Sequence, residues 1–172
     1  MRRLLLSLLS VVFLLSACDA VHRDTEAEQK IKEEQGLIQA YSKGVPAADL
    51  EQTQFVRAWE EANEIKSLKK FKEAMEERVV PRLTDYVNAL GEMPTGTADL
   101  KKIHGAVVTS YSEAVIAFSV FVDGLSEENV EARYQDLLVA MDKVGADEKQ
   151  YHAQLREYYA RSRVRLVEAA KP

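Results

Sequence analysis

The chain has 172 residues, 47% hydrophobic and 30% charged, with 7 Gly, 4 Pro, one Cys and a net charge of −5. That length suits one domain with a single core, and the scarcity of Gly and Pro favours a few long helices over many short strands. The negative charge argues against wholesale nucleic-acid binding, and a lone cysteine excludes an internal disulfide.

Met1-Arg2-Arg3 forms a short basic segment, and Leu4 to Leu15 is an apolar run interrupted only by serines. A bilayer span needs about 20 residues, so this run has the proportions of a signal-peptide core instead. Leu15-Ser16-Ala17-Cys18 then sets the only cysteine behind small residues. With the segments before it, LSAC resembles the lipobox of bacterial lipoproteins. The resemblance implies that the Cys18 thiol carries diacylglycerol, that signal peptidase II cuts before it, and that the new amine is acylated. An ordinary secreted protein cut near Ala17, with Cys18 a free thiol, is the alternative. One acyl chain binds a bilayer only marginally, whereas two or three hold firmly. Asp19, in enterobacteria-like lipoproteins, resembles the signal for retention in the inner membrane. The expected organisation is a signal peptide over 1–17, an acylated cysteine and polar tether over 18–25, and a helical domain over 26–172. The domain faces the periplasm.

The first helix is predicted over 26–43, on Ala27, Ile31, Leu37, Ile38 and Tyr41, with Gly44 as its stop and Pro46 opening the next segment. The second is predicted over 47–90. Its apolar line through Phe55, Trp59 and Ala62 rotates at Ile65 and Leu68, and Pro81 should kink or split it. GEMPTGT at 91–97 is the clearest turn. A third helix over 98–125 carries Leu100, Ile103, Val107, Tyr111, Ala114, Phe118, Phe121 and Leu125 at steps of three and four. Between Ala106 and Val122 its only charge is Glu113, and Val115, Ile116 and Val120 make its other faces apolar, which marks a deeply buried helix. The fourth, over 127–169, is capped near Ser126 and keeps its apolar phase across Gly145.

These elements predict an all-α protein, an elongated antiparallel up-down four-helix bundle. Straight helices over 47–90 and 127–169 would each be about 65 Å long, so they must bend, break or overhang. An apolar overhang on the helices over 47–90 and 127–169, including Phe55 and Trp59, or the 91–97 loop, is the expected partner surface, with Trp59 reading equally as core.

Motifs for chemistry are absent from the sequence: no Glu-x-x-His, CxxCH, HExxH, GxSxG or P-loop occurs. No catalytic residue is therefore expected, and no cofactor beyond the lipid on Cys18. Glu148 and His152 lie four apart on one helix face, and with His104 they could form a metal or proton site between the third and fourth helices. The plainer reading is a wet polar position beside Gly145. Tyr134, Tyr151, Tyr158 and Tyr159 read as core rather than a ligand box, and Glu113 as meeting solvent or a basic partner rather than as a buried functional acid. Arg156, Arg161, Arg163 and Arg165 make the last helix basic at its end. They either complement the helix dipole or face anionic headgroups. The functional expectation is a membrane-anchored accessory or adaptor protein of an envelope complex, held to the bilayer through Cys18 and acting on another envelope protein. The alternative is a ligand- or metal-binding lipoprotein.

Overall fold

A computed structural model describes the backbone of residues 5–164 and the side chains of residues 25–164. Cys18, Asp19 and Arg165, singled out above, lie outside the described side chains. The protein is an all-α helical bundle: α1 spans Leu5–Asn63, α2 Leu68–Ala74, α3 Val80–Gly91, α4 Ala98–Asp123 and α5 Val130–Arg161. A single π-turn over Met75–Val79 joins α2 to α3, so four rods form the bundle.

Side-chain pairs set the directions of the rods. Along α1, Gln35, Gln52 and Asn63 bond Ser162, Glu148 and Tyr134, so α1 and α5 run oppositely. Along α4, Asp99, Ser110 and Glu113 bond Arg161, Asp147 and Lys143, so α4 and α5 also run oppositely. Arg78 and Arg82 pair with Glu61 and Glu51, which turns the α2–α3 rod back along α1.

The first rod is longer than its residues suggested. Gly44 and Pro46 do not end a helix; α1 passes through both. Ile38, Tyr41, Val45, Ala48, Gln52, Phe55, Trp59 and Ala62 recur at alternating steps of three and four, the spacing of a helix seam. Breaking the helix at 44–46 would throw one half of that stripe out of the core. Gly44 instead makes room for the 91–97 loop: a Cβ there would lie 3.1 Å from Met93 Cγ. The predicted tether at 18–25 is likewise part of α1.

The reversal falls at 64–67, where the apolar face rotates. Ile65 N–H donates to Ala62 O, and Phe71 N–H to Ser67 O opens α2. Pro81 acts without splitting the rod. It has no N–H to offer the i−4 carbonyl, and the ladder shifts just before it, with Val80 N–H reaching Met75 O.

α5 runs unbroken through Gly145, as its phase predicts, but its ends differ from the expected ones. Asn129, not Ser126, precedes the helix: its Oδ1 accepts from Ser126 N–H and its Nδ2 donates to Gly124 O. At the other end Arg163 takes φ 56°, in the left-handed region. Arg163 N–H bonds Ala160 O and Val164 N–H bonds Tyr159 O, which together make a Schellman motif. Val164 packs on the core, the apolar contact that usually accompanies this stop. The helix therefore ends at Arg161, short of the predicted bound.

Phe55 and Trp59 belong to the core, not to an overhang. Phe55 is 4% exposed, and both rings meet Phe118 edge-on, with centroids 5.8 and 5.1 Å away. Trp59 also stacks on Tyr134 at 6.0 Å. The α1 stripe aims both inward.

Candidate functional site

A polar node ties the four rods together near the end that carries the 91–97 loop. Tyr41 of α1 lies 2.8 Å from His104 Nδ1 of α4 and 2.5 Å from the Tyr151 hydroxyl of α5. His104 Nε2 lies 2.7 Å from Leu90 O, near the end of α3. Because a carbonyl only accepts, Nε2 carries the proton. Burial lowers the His104 pKa, which favours the neutral ring and leaves Nδ1 an acceptor. The hydrogen bonds then run one way: Tyr151 O–H donates to Tyr41, Tyr41 O–H to His104, and His104 N–H to Leu90 O. Burial, and next the neighbouring Tyr151, push the Tyr41 phenol far above its ordinary value, so it stays protonated.

A second cluster adjoins it. Gln52 Nε2 donates to Glu148 Oε1 at 3.2 Å and to the Tyr111 hydroxyl at 3.4 Å. Tyr86 meets the Tyr111 ring edge-on at 4.8 Å. Burial, followed by the Glu148 charge, pushes Tyr111 up to about 12. Glu148 is thus half-buried and held by an amide, while its neighbour Gly145 leaves open space.

The suggested grouping of Glu148, His152 and His104 does not form. His152 is exposed, and both nitrogens of His104 are engaged. Among the described residues, no three His, Cys, Asp or Glu side chains lie close enough to hold a metal ion. The node joins one residue from each rod, and such fully satisfied networks select one packing among alternatives.

The basic end of α5 is partly spent. Arg161 pairs with Asp99 at 2.7 Å and lies over the Tyr158 ring at 5.4 Å. Arg156 and Arg163 are exposed, and no ion pair holds either among the described residues. Glu113 is exposed and meets Lys143 at 3.0 Å, the basic partner expected for it. Lys143 also bonds Asp147 at 2.9 Å; with Ser110, it holds that carboxyl below its usual range.

The surface carries what the sequence reading missed. Ile116 is 63% exposed, Val120 58% and Val139 70%. The apolar back of α4 was legible, but it pointed to burial on all sides, whereas only 39% of the most apolar window of α4 is buried. α4 is long and apolar enough to cross a membrane by length and composition alone, yet Leu100, Val107, Tyr111, Phe118 and Phe121 pack it into the bundle core. Three hollows follow the seam between α4 and α5, one near Arg161, one of about 490 Å³ beside Ser110 and Lys143, and one beside Val120 and Arg133. No family model matches the chain, and no curated protein or solved structure is detectably similar to it.

Proposed function

We propose that this protein is a lipid-anchored envelope protein that works through contacts made by its helical surface, as an accessory or adaptor of a larger assembly. LSAC and the segments before it support the anchor on Cys18, and Asp19 favours the inner membrane. The observation that carries the contact reading is the uncovered apolar back of α4, with Ile116 and Val120 largely exposed. A bundle that leaves β-branched side chains in water along one helix is suited to a protein partner.

α1 supports a particular reach. From Cys18 to Gln35, where α5 ends against α1, the helical rise amounts to about 25 Å. Residues 25–30 of this stretch are exposed. The bundle would then stand off the bilayer on a helical stalk. At that height the basic end of α5 lies about three Debye lengths from the headgroups. Its charges therefore serve the helix C-terminus and Asp99 rather than the membrane.

The test is in-cell crosslinking with affinity capture and mass spectrometry, comparing the native chain with Cys18→Ser. A fatty-acid label present on the native chain and lost in Cys18→Ser supports the anchor. One or two envelope proteins captured only by the native form support the adaptor role. An abundant, folded native chain that captures none refutes it.

A further inference from the structure

We infer that the face formed by α4 and α5 binds a second copy of this chain, side by side and in the same orientation. This deepens the reading that the protein works through its helical surface, and it rests on that reading. The exposed positions of α4 are ordered: Lys102, Ala106, Thr109, Glu113, Ile116 and Val120 recur at steps of 4, 3, 4, 3 and 4. That is the spacing of a helix seam, here with nothing laid on it.

Charge identifies the occupant. At three heights along the seam, α4 and α5 carry opposite charges. Asp99 faces Arg161 and Glu113 faces Lys143. Lys102 and Glu157 line the same hollow, Val120 lines another with Arg133 and Asp136, and Ile116 and Val139 are both largely exposed. The paired charges are far from sequestered: Asp99 is 63% exposed, Arg161 62%, Glu113 58% and Lys143 61%. Each retains open valence toward solvent for a further partner.

A two-fold axis parallel to the helices sets α4 of one copy against α5 of the other at equal height. Every internal pair is then repeated between copies: Glu113 meets the second copy's Lys143, and Asp99 its Arg161. By the register of the Glu113–Lys143 pair, Ile116 comes close to the height of its Val139, and Val120 to that of its Arg133 and Asp136. Such an isologous contact is the commonest route to a dimer. The alternative parallel arrangement, α4 directly on α4, would oppose Lys102 to Lys102 and Glu113 to Glu113, so like charges exclude it. The side-by-side arrangement also leaves both copies of Cys18 at the same end, compatible with one membrane.

Two measurements test this on the full chain. In the envelope, one tagged copy carries Glu113→Cys and a differently tagged copy carries Lys143→Cys. A disulfide between the two tags is expected, with none between copies that both carry Val56→Cys on the exposed side of α1. In solution, the Cys18→Ser chain should sediment as a dimer. Ile116→Lys combined with Val139→Lys should weaken self-association more than about tenfold with helical content unchanged. The inference is overturned if the Cys18→Ser chain sediments as a monomer and the Glu113→Cys and Lys143→Cys copies do not join. It is equally overturned if the Val56→Cys copies join as readily, since contact is then random. Joining of Glu113→Cys only to a different envelope protein overturns the second copy as occupant and leaves the adaptor reading standing.

Discussion

Replacing Tyr41 with phenylalanine removes one oxygen but strands two groups. His104 Nδ1 loses its only donor, and His104 is 4% exposed, so no water replaces it readily. A buried acceptor left unpaired costs about 1–3 kcal/mol. Tyr151 loses the acceptor for its O–H, but it is only part-buried and recovers some hydration, so its share is about 1 kcal/mol. The expected loss for Tyr41→Phe is therefore about 2–4 kcal/mol. Tyr151→Phe is milder, about 1 kcal/mol, because the Tyr41 O–H keeps its bond to His104. The double variant should cost about 1 kcal/mol less than the sum of the two, since removing the Tyr151 hydroxyl relieves the group that Tyr41→Phe orphans. Urea unfolding of the full-length Cys18→Ser chain measures all three through the midpoint at constant slope. Additivity within about 0.3 kcal/mol, or a Tyr151→Phe loss equal to that of Tyr41→Phe, would refute the direction assigned to this chain.

Pro46→Ala should stabilise the protein by about 1–3 kcal/mol, because it restores a hydrogen bond at an exposed position inside α1. No change in the unfolding midpoint would mean that the helix breaks at 44–46 after all. Arg163→Gly should add about 0.5–1 kcal/mol by relieving a left-handed backbone at an exposed site, readable in the same unfolding curves. A loss of stability there would show that the arginine side chain contributes more than its backbone costs. The folded His104 pKa is depressed, so the unfolded chain binds the extra proton first as pH falls. Its contribution is complete above the unfolded value of about 6.5 and is lost as pH drops from there toward the lower folded value. His104→Gln should flatten the pH dependence of stability in that window; an unchanged slope would assign the acid sensitivity to other groups.

Helix content and most helix phases were legible because they depend on local periodicity. The α4 stripe from Leu100 to Phe121 and the continuity of α5 through Gly145 both follow from steps of three and four residues. Gly44 and Pro46 misled for a physical reason. A glycine and a proline are local signals for a stop, but the α1 stripe on both sides keeps one phase, and the packing of Met93 against Gly44 comes from a loop about fifty residues away in sequence. Arg163 misled in the opposite direction. Nothing in its residue type announces a left-handed stop, and only the hydrogen bonds to Tyr159 and Ala160 reveal it.

The candidate sites divide along the same line. The anchor proposed on LSAC rests on the sequence alone, since a processing signal of that kind would be recognised in an unfolded chain without tertiary context. His104, Tyr41 and Tyr151 lie far apart in sequence, and only packing brings their hydroxyls and ring together. Phe55 and Trp59 were expected on an overhang because 47–90 read as one overlong helix; the reversal at 64–67 removes that length, and the α1 seam turns both inward. The sequence by itself determined the helical class and the phase of most stripes, both of which depend on near neighbours along the chain. The tertiary structure decided where the chain reverses, which polar groups satisfy one another, and which side of α4 stays in water. Those depend on which surfaces meet, and near neighbours carry no record of that.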